Sequence, residues 1–121
     1  MASFEIEGGY RLRGSITPQG AKNEALQVIC AVLLTSEKVV IENVPDIRDV
    51  NKLIELLQLL GVKVSCTYQD ADSRTFEFQA DEVSLAALES PDYSQQATAL
   101  RGSIMLLGPL LARFGYALVP Q

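Results

Sequence analysis

Apolar and polar positions divide the chain into elements before any one residue is considered. Phe4, Ile6, Tyr10, Leu12 and Ile16 alternate loosely with polar neighbours, broken by Gly8-Gly9 and Gly14. That pattern predicts two short strands, or one with a bulge. The nearly continuous apolar run from Ala25 to Leu34 predicts a helix over about 22–34, buried on most sides and ended by Thr35-Ser36-Glu37. Lys38 to Glu42 is a β-branched run and reads as a strand. Asn43 to Asp46 is a turn, with Asp46 as N-cap of a second helix and Asp49 in its first turn. Val50, Leu53, Ile54, Leu57 and Leu60 hold helical spacing until Gly61, placed to stop that helix. Arg48, Lys52 and Glu55 fall on its solvated face.

Val62, Val64 and Cys66 alternate as the next strand, and 75–79 returns beside it with Phe76 and Phe78 inward. Asp70 and Asp72 lie between them. No further oxygen ligands follow at calcium-loop spacing, so they read as a surface turn. The stretch 81–93 is irregular, with a helical turn at 85–88 and Pro91 as an interruption. Ala97, Leu100, Ile104, Leu107 and Leu111 form one stripe of a long helix over 94–111, expected to kink or break near Gly108-Pro109. Residues 116–119 read as a last strand. The order strand, helix, strand, helix, strand, strand, helix, strand points to an α/β fold with helices packed on one side of the sheet.

Composition narrows the function classes. The chain has 121 residues, 48% hydrophobic and 21% charged, as expected of one globular domain. No apolar run approaches the roughly 18 residues that cross a membrane. The start lacks a basic and then apolar leader, so the expected location is cytoplasmic. A net charge of −5 argues against a nucleic-acid partner. There is no histidine, which removes the usual serine or cysteine triad. Two distant cysteines, Cys30 and Cys66, offer no metal spacing, and Cys30 reads as a free buried thiol. No metal and no cofactor are expected.

The candidate chemistry lies in Pro18-Gln19-Gly20-Ala21-Lys22-Asn23-Glu24-Ala25-Leu26. Gly20 permits a tight turn and a close backbone approach. Lys22 and Asn23 fall in the first turn of a helix, where the dipole disfavours a cation but free N–H groups favour an anion. A bound phosphate or carboxylate reconciles the lysine with its position. The alternative is a solvated Lys22 offset by Glu24.

These nine residues resemble the lysine–asparagine motif of the UDP-N-acetylglucosamine enolpyruvyl transferases of peptidoglycan synthesis. The related shikimate-pathway transferases carry Lys-Ser where this chain has Lys22-Asn23. Two further stretches are similar to the same family: Asn43 to Val50 followed by Leu59 to Val64, and Ala99 to Gly115. The resemblance covers nearly the whole chain. It implies βαβαββ units packed as part of an inside-out α/β barrel. It also implies transfer of enolpyruvyl from phosphoenolpyruvate to the 3′-hydroxyl of UDP-N-acetylglucosamine, by addition and elimination. Lys22 would hold the phosphoenolpyruvate anion, Asn23 would contact substrate beside it, and Arg101 would bind the UDP-sugar. Arg101 is expected in mid-helix, with Gly102 leaving room for the ligand. Arg113, near the helix end, is left structural.

In the family, the general acid lies on a glycine-rich loop that would follow Gln121, and neither Cys30 nor Cys66 matches its position. The resemblance therefore implies no catalytic residue within 1–121. It assigns 1–21 to opening strands of the second domain and 22–121 to an incomplete first domain. Such a piece is expected to be inactive alone and to self-associate through exposed edges. The competing expectation is a ferredoxin-like βαββαβ binding module over 38–119, with a four-stranded antiparallel sheet and residues 1–37 as an appendage.

Overall fold

A computed structural model describes residues 2–120. Residues 2–21 form no helix or strand, and the two opening strands are absent. Alternation marks a strand's two faces but supplies no neighbour, and the ladder needs one. Phe4, Ile6, Leu12 and Ile16 accordingly point into solvent, each about nine-tenths exposed.

Helix α1 spans Lys22–Cys30 and tightens into a 3₁₀ turn over Ala31–Leu34. Its Ala25, Leu26, Ile29 and Cys30 are buried, as are Val32 and Leu33 of the turn. Residues 22–34 are thus core and not an appendage. Strand β1 is Lys38–Val44, helix α2 Arg48–Leu59, strand β2 Lys63–Gln69 and strand β3 Arg74–Gln79. The sheet has three strands in the order β1-β3-β2, and β3 is antiparallel to both neighbours. Residues 116–119 form no strand, so the four-stranded sheet does not appear. Arg74, Phe76 and Phe78 of β3 are buried beneath the helices, and Thr75, Glu77 and Gln79 turn to the other face.

Local chemistry explains most boundaries. Gly61, at φ 99°, ends α2. Its N–H reaches Gln58 O and that of Val62 reaches Leu57 O, the paired bonds of a Schellman cap. Ile47, not Asp46, is the N-cap of α2, and it gives no side-chain cap. The Asp46 carboxylate instead accepts from Asn51 Nδ2 at 2.9 Å. Asp70 Oδ1 accepts from the N–H groups of Asp72 and Ser73, both at 2.8 Å, which closes the β2–β3 turn. Those two bonds, then the Tyr68 hydroxyl, hold the Asp70 carboxyl below its usual range.

The expected long helix is three pieces: α3 at Pro91–Ala99, a 3₁₀ turn at Arg101–Leu106 and α4 at Leu107–Phe114. Pro91 does not interrupt a helix; it opens one at N1, behind Ser90, whose hydroxyl accepts from Tyr93 N–H at 3.2 Å. The break falls at Leu100, which is extended (φ −116°, ψ 105°). Ser103 Oγ donates to the Ala97 carbonyl at 2.8 Å and so satisfies the end of α3. Beside Gly108-Pro109 the 3₁₀ turn gives way to α4 at Leu107, the break expected there, and Pro109 sits in the first turn of α4, where N–H groups need no helical partner. Arg113 Nη1 donates to the carbonyls of Leu33, Thr35 and Ala80 at 3.0, 3.0 and 2.7 Å, tying α4 to the sheet and to the end of the first helix.

Two backbone segments touch at Gly20. A Cβ there would collide with the Asn43 carbonyl oxygen and lie 2.9 Å from Pro45 Cδ. Asn43 has φ 57°, and the β1–β3 register slips between Ile41 and Val44 around it. Gly20→Ala is expected to destabilise the fold by about 1–3 kcal/mol, as overpacked sites do. Gly8→Ala, where a Cβ meets nothing within 4 Å, is the control. Denaturation midpoints of the two variants check the difference.

Candidate functional site

Beyond Gly20 the chain enters α1 through Ala21, which gives no side-chain cap. The first helical bond is Ala25 N–H to Ala21 O at 3.0 Å, so the N–H groups ahead of Ala25 have no partner within the helix. Lys22 and Asn23 are the first two residues of this turn. Their side chains line an open groove of about 360 Å³ together with Leu26, Gln27, Asp49, Arg101, Gly102, Ile104 and Met105. All three residues singled out in the sequence, Lys22, Asn23 and Arg101, therefore meet on one concave surface.

Lys22 is neither freely solvated nor offset by Glu24. Its Nζ lies 2.6 Å from Asp49 Oδ2, in the first turn of α2, and both side chains are partly exposed. The Lys22 hydrogen bond, and behind it the charges of Lys22, Lys52 and Arg48, hold the Asp49 carboxyl below its usual range. Asp49 was legible only as a helix-start acid; its role as lysine partner needs the packing of α1 on α2.

Arg101 is not mid-helix. It opens the 3₁₀ turn after the break at Leu100 and is exposed. Among the described residues it forms no hydrogen bond or ion pair. Gly102 does not simply leave space for a ligand: a Cβ there would lie 3.3 Å from Leu26 Cδ1, so part of that room belongs to the core. Ile104 and Met105 give the groove an apolar rim and remain exposed.

The other candidates stand apart. Arg113 is consumed by backbone carbonyls, and its role is structural, as expected. Cys30 is buried, and desolvation pushes its thiol up to about 12, far from the reactive range. Cys66 is exposed on β2. Among the described residues no group of three or more metal-ligating side chains exists, and no helix is long and apolar enough to cross a membrane. Sequence reasoning missed Arg74, which it left at the edge of a polar turn and which is buried.

Residues 6–119 match the family described as EPSP synthase (3-phosphoshikimate 1-carboxyvinyltransferase). The chain belongs to this family. Within it, the UDP-N-acetylglucosamine 1-carboxyvinyltransferase of Bacteroides thetaiotaomicron is 56% identical over all 121 residues. Proteins of the same name from Bacteroides fragilis and Porphyromonas gingivalis are 55% and 54% identical. The chain spans 27% of the length of each of these relatives. So the family's profile carries the shikimate name, whereas these relatives carry the UDP-sugar name, the branch that Lys22-Asn23 favours.

The ion pair sets a pH response. The folded Asp49 value lies below its ordinary 3.8, so the pair's contribution is present above 3.8 and is lost as pH falls through the folded value. Lys22→Met is expected to return the Asp49 midpoint toward 3.8 and to remove that part of the acid dependence. A carboxyl-carbon NMR titration of Asp49 checks it. High salt should weaken the same contribution in the unchanged protein, since an exposed pair is screened.

Proposed function

We propose that this chain forms part of an enzyme that transfers enolpyruvyl from phosphoenolpyruvate to the 3′-hydroxyl of UDP-N-acetylglucosamine, the first committed step of peptidoglycan synthesis. The single observation that carries the reading is the meeting of Lys22, Asn23 and Arg101 in one groove at an uncapped helix start. Lys22 binds the phosphate and carboxylate of phosphoenolpyruvate as a compact charge, helped by the N–H groups of the first turn of α1. Asn23 contacts substrate beside it. Arg101 grips the UDP-sugar with a planar fork that suits phosphate oxygens. The family membership and the named relatives support this assignment over a generic anion site.

In this reading residues 1–21 pack with a second domain and residues 22–121 form part of an inside-out α/β barrel. The exposed apolar side chains of the opening segment are what such packing would cover. As the family resemblance implies, the general acid in this reading comes from outside residues 1–121, and Cys30 and Cys66 lie outside the groove. The substrates are metabolites of the cytoplasm, where the enzyme works with no cofactor.

The 121-residue chain should bind both substrates weakly and release no inorganic phosphate from them. Amide shifts on adding phosphoenolpyruvate or UDP-N-acetylglucosamine should cluster at Lys22, Asn23 and Arg101. Lys22→Ala should weaken phosphoenolpyruvate binding about 10-fold or more, the loss of one charge-assisted bond. Arg101→Ala should act mainly on the UDP-sugar. Shifts confined to other surfaces, or turnover at enzyme-like rates, would contradict the reading.

A separate expectation concerns the bare chain. Light scattering should give a mass above that of one copy, since Phe4, Ile6, Leu12 and Ile16 lie open to solvent. A monomer at high concentration counts against it.

A further inference from the structure

We propose that Arg74 is a positioning residue for the groove: it fixes the turn between β1 and α2 so that Asp49 stands against Lys22. The proposal rests on the anion-site reading of that groove, and it concerns a residue far along the chain that touches no part of it.

Arg74 opens β3 opposite Val44, on the far side of the register slip that surrounds Asn43. Among the described residues it is the one buried charged side chain, only 9% exposed. Its Nη2 donates to Pro45 O and to Asn51 Oδ1, both at 2.7 Å. Nη1 lies 3.7 Å from Asp46 Oδ1, and Asp46 Oδ1 also accepts from Asn51 Nδ2. The guanidinium stacks over Phe76, 4.9 Å from the ring centroid. One planar group therefore holds the last residues before α2 and a residue of its first turn at the same time.

That grip matters because α2 has no side-chain cap of its own. Ile47 cannot fix the helix start, and Asp46, the residue suited to capping, is turned back toward Arg74 and Asn51. The Pro45–Asn51 turn is held on one side by Gly20 against Asn43 and Pro45, and on the other by Arg74. Asp49 lies between these two anchors and carries the oxygen that meets Lys22. Freed of Arg74, the turn would keep the Gly20 contact, the Asp46–Asn51 bond and the burial of Val44 and Val50, but would lose the one group that ties Pro45 to Asn51. Burying the guanidinium with Nε left without a partner has a desolvation cost, which a merely decorative arginine would not sustain.

The test uses the full chain and variants at both ends of the link. Arg74→Met removes the guanidinium but keeps an apolar stem over Phe76. Asn51→Ala removes the acceptor for Arg74 and the donor to Asp46 but no charge, so it separates the hydrogen-bonded positioning of the turn from the through-space charge of Arg74. Val62→Ala, at the far end of α2, lowers stability without touching the turn. Asp49 is followed by carboxyl-carbon NMR titration, with melting temperatures alongside. Arg74→Met and Asn51→Ala are both expected to raise the Asp49 midpoint toward that seen in Lys22→Met. The double variant should go no further than the larger single change, as for one shared link. Val62→Ala should lower the melting temperature and leave the midpoint in place.

An unmoved midpoint in folded Asn51→Ala overturns the proposal, and so does a shift confined to Arg74→Met, which is charge loss alone. If Arg74→Met does not fold, Asn51→Ala decides by itself. Phosphoenolpyruvate affinity is measured separately on the same proteins. Absence of binding to the unchanged chain would end the anion-site reading while the titration still judged Arg74.

Discussion

The groove exists because two stretches of backbone touch where no side chain fits. Gly20 lies against the Asn43 carbonyl, and that carbonyl faces it because Asn43 adopts a left-handed conformation within a slip of the β1–β3 register. From this contact the chain runs one way into the first turn of α1 and the other way, through Pro45, into the first turn of α2. Both helix starts lack a side-chain cap. Lys22 and Asp49 therefore meet as neighbours of one junction, although 27 positions separate them in number. A larger residue at 20 would push the helix starts apart and dissolve the site before any of its charges changed.

Electrostatics at this junction explains why a lysine stands at the wrong end of a helix. The start of α1 carries partial positive charge, and Lys22 adds to it. Asp49 answers both, but the pair is half in water, where such contacts are weak and screened. A weak resident partner suits the proposed role. It keeps the ammonium aimed along the groove wall and yields at little cost to a ligand with two or three anionic oxygens. A deeply buried partner would have locked the lysine away from any substrate. In the proposed reading Asp49 is a placeholder that the anion displaces.

Much of this was legible in the chain, and the failures share one cause. Gly61 was readable as a helix stop because its reason is local: a positive φ and two carbonyls within reach. Phe76 and Phe78 were readable because alternation reports a face directly. Lys22, Asn23 and Arg101 were readable as a set only through likeness to a family, since nothing in their spacing brings positions 22 and 101 together. The opening and closing strands failed because their alternation is complete without the neighbour that would pair with them. The break near Gly108-Pro109 was readable, but the larger one at Leu100 was not, because nothing in the apolar stripe marks an extended residue within it. Asp46 failed as a cap because it is drawn to Arg74, a residue on another strand.

The arginines show what the sequence withholds. Arg74, Arg101 and Arg113 are equally plausible as surface charges in a list of residues. A guanidinium brings five N–H donors, and what those donors already hold decides what it can do. Arg113 spends Nη1 on three carbonyls that end other elements, and Arg74 spends Nη2 on a turn. A ligand that took those nitrogens would release the contacts that hold the turn and the helix ends. Arg101 stands on a short turn at the groove edge, exposed, with its donors uncommitted among the described residues. The extended Leu100 ends α3, and Arg101 opens the next turn at the groove edge. A helix interruption of one extended residue therefore separates an arginine that builds the protein from one that is free to bind.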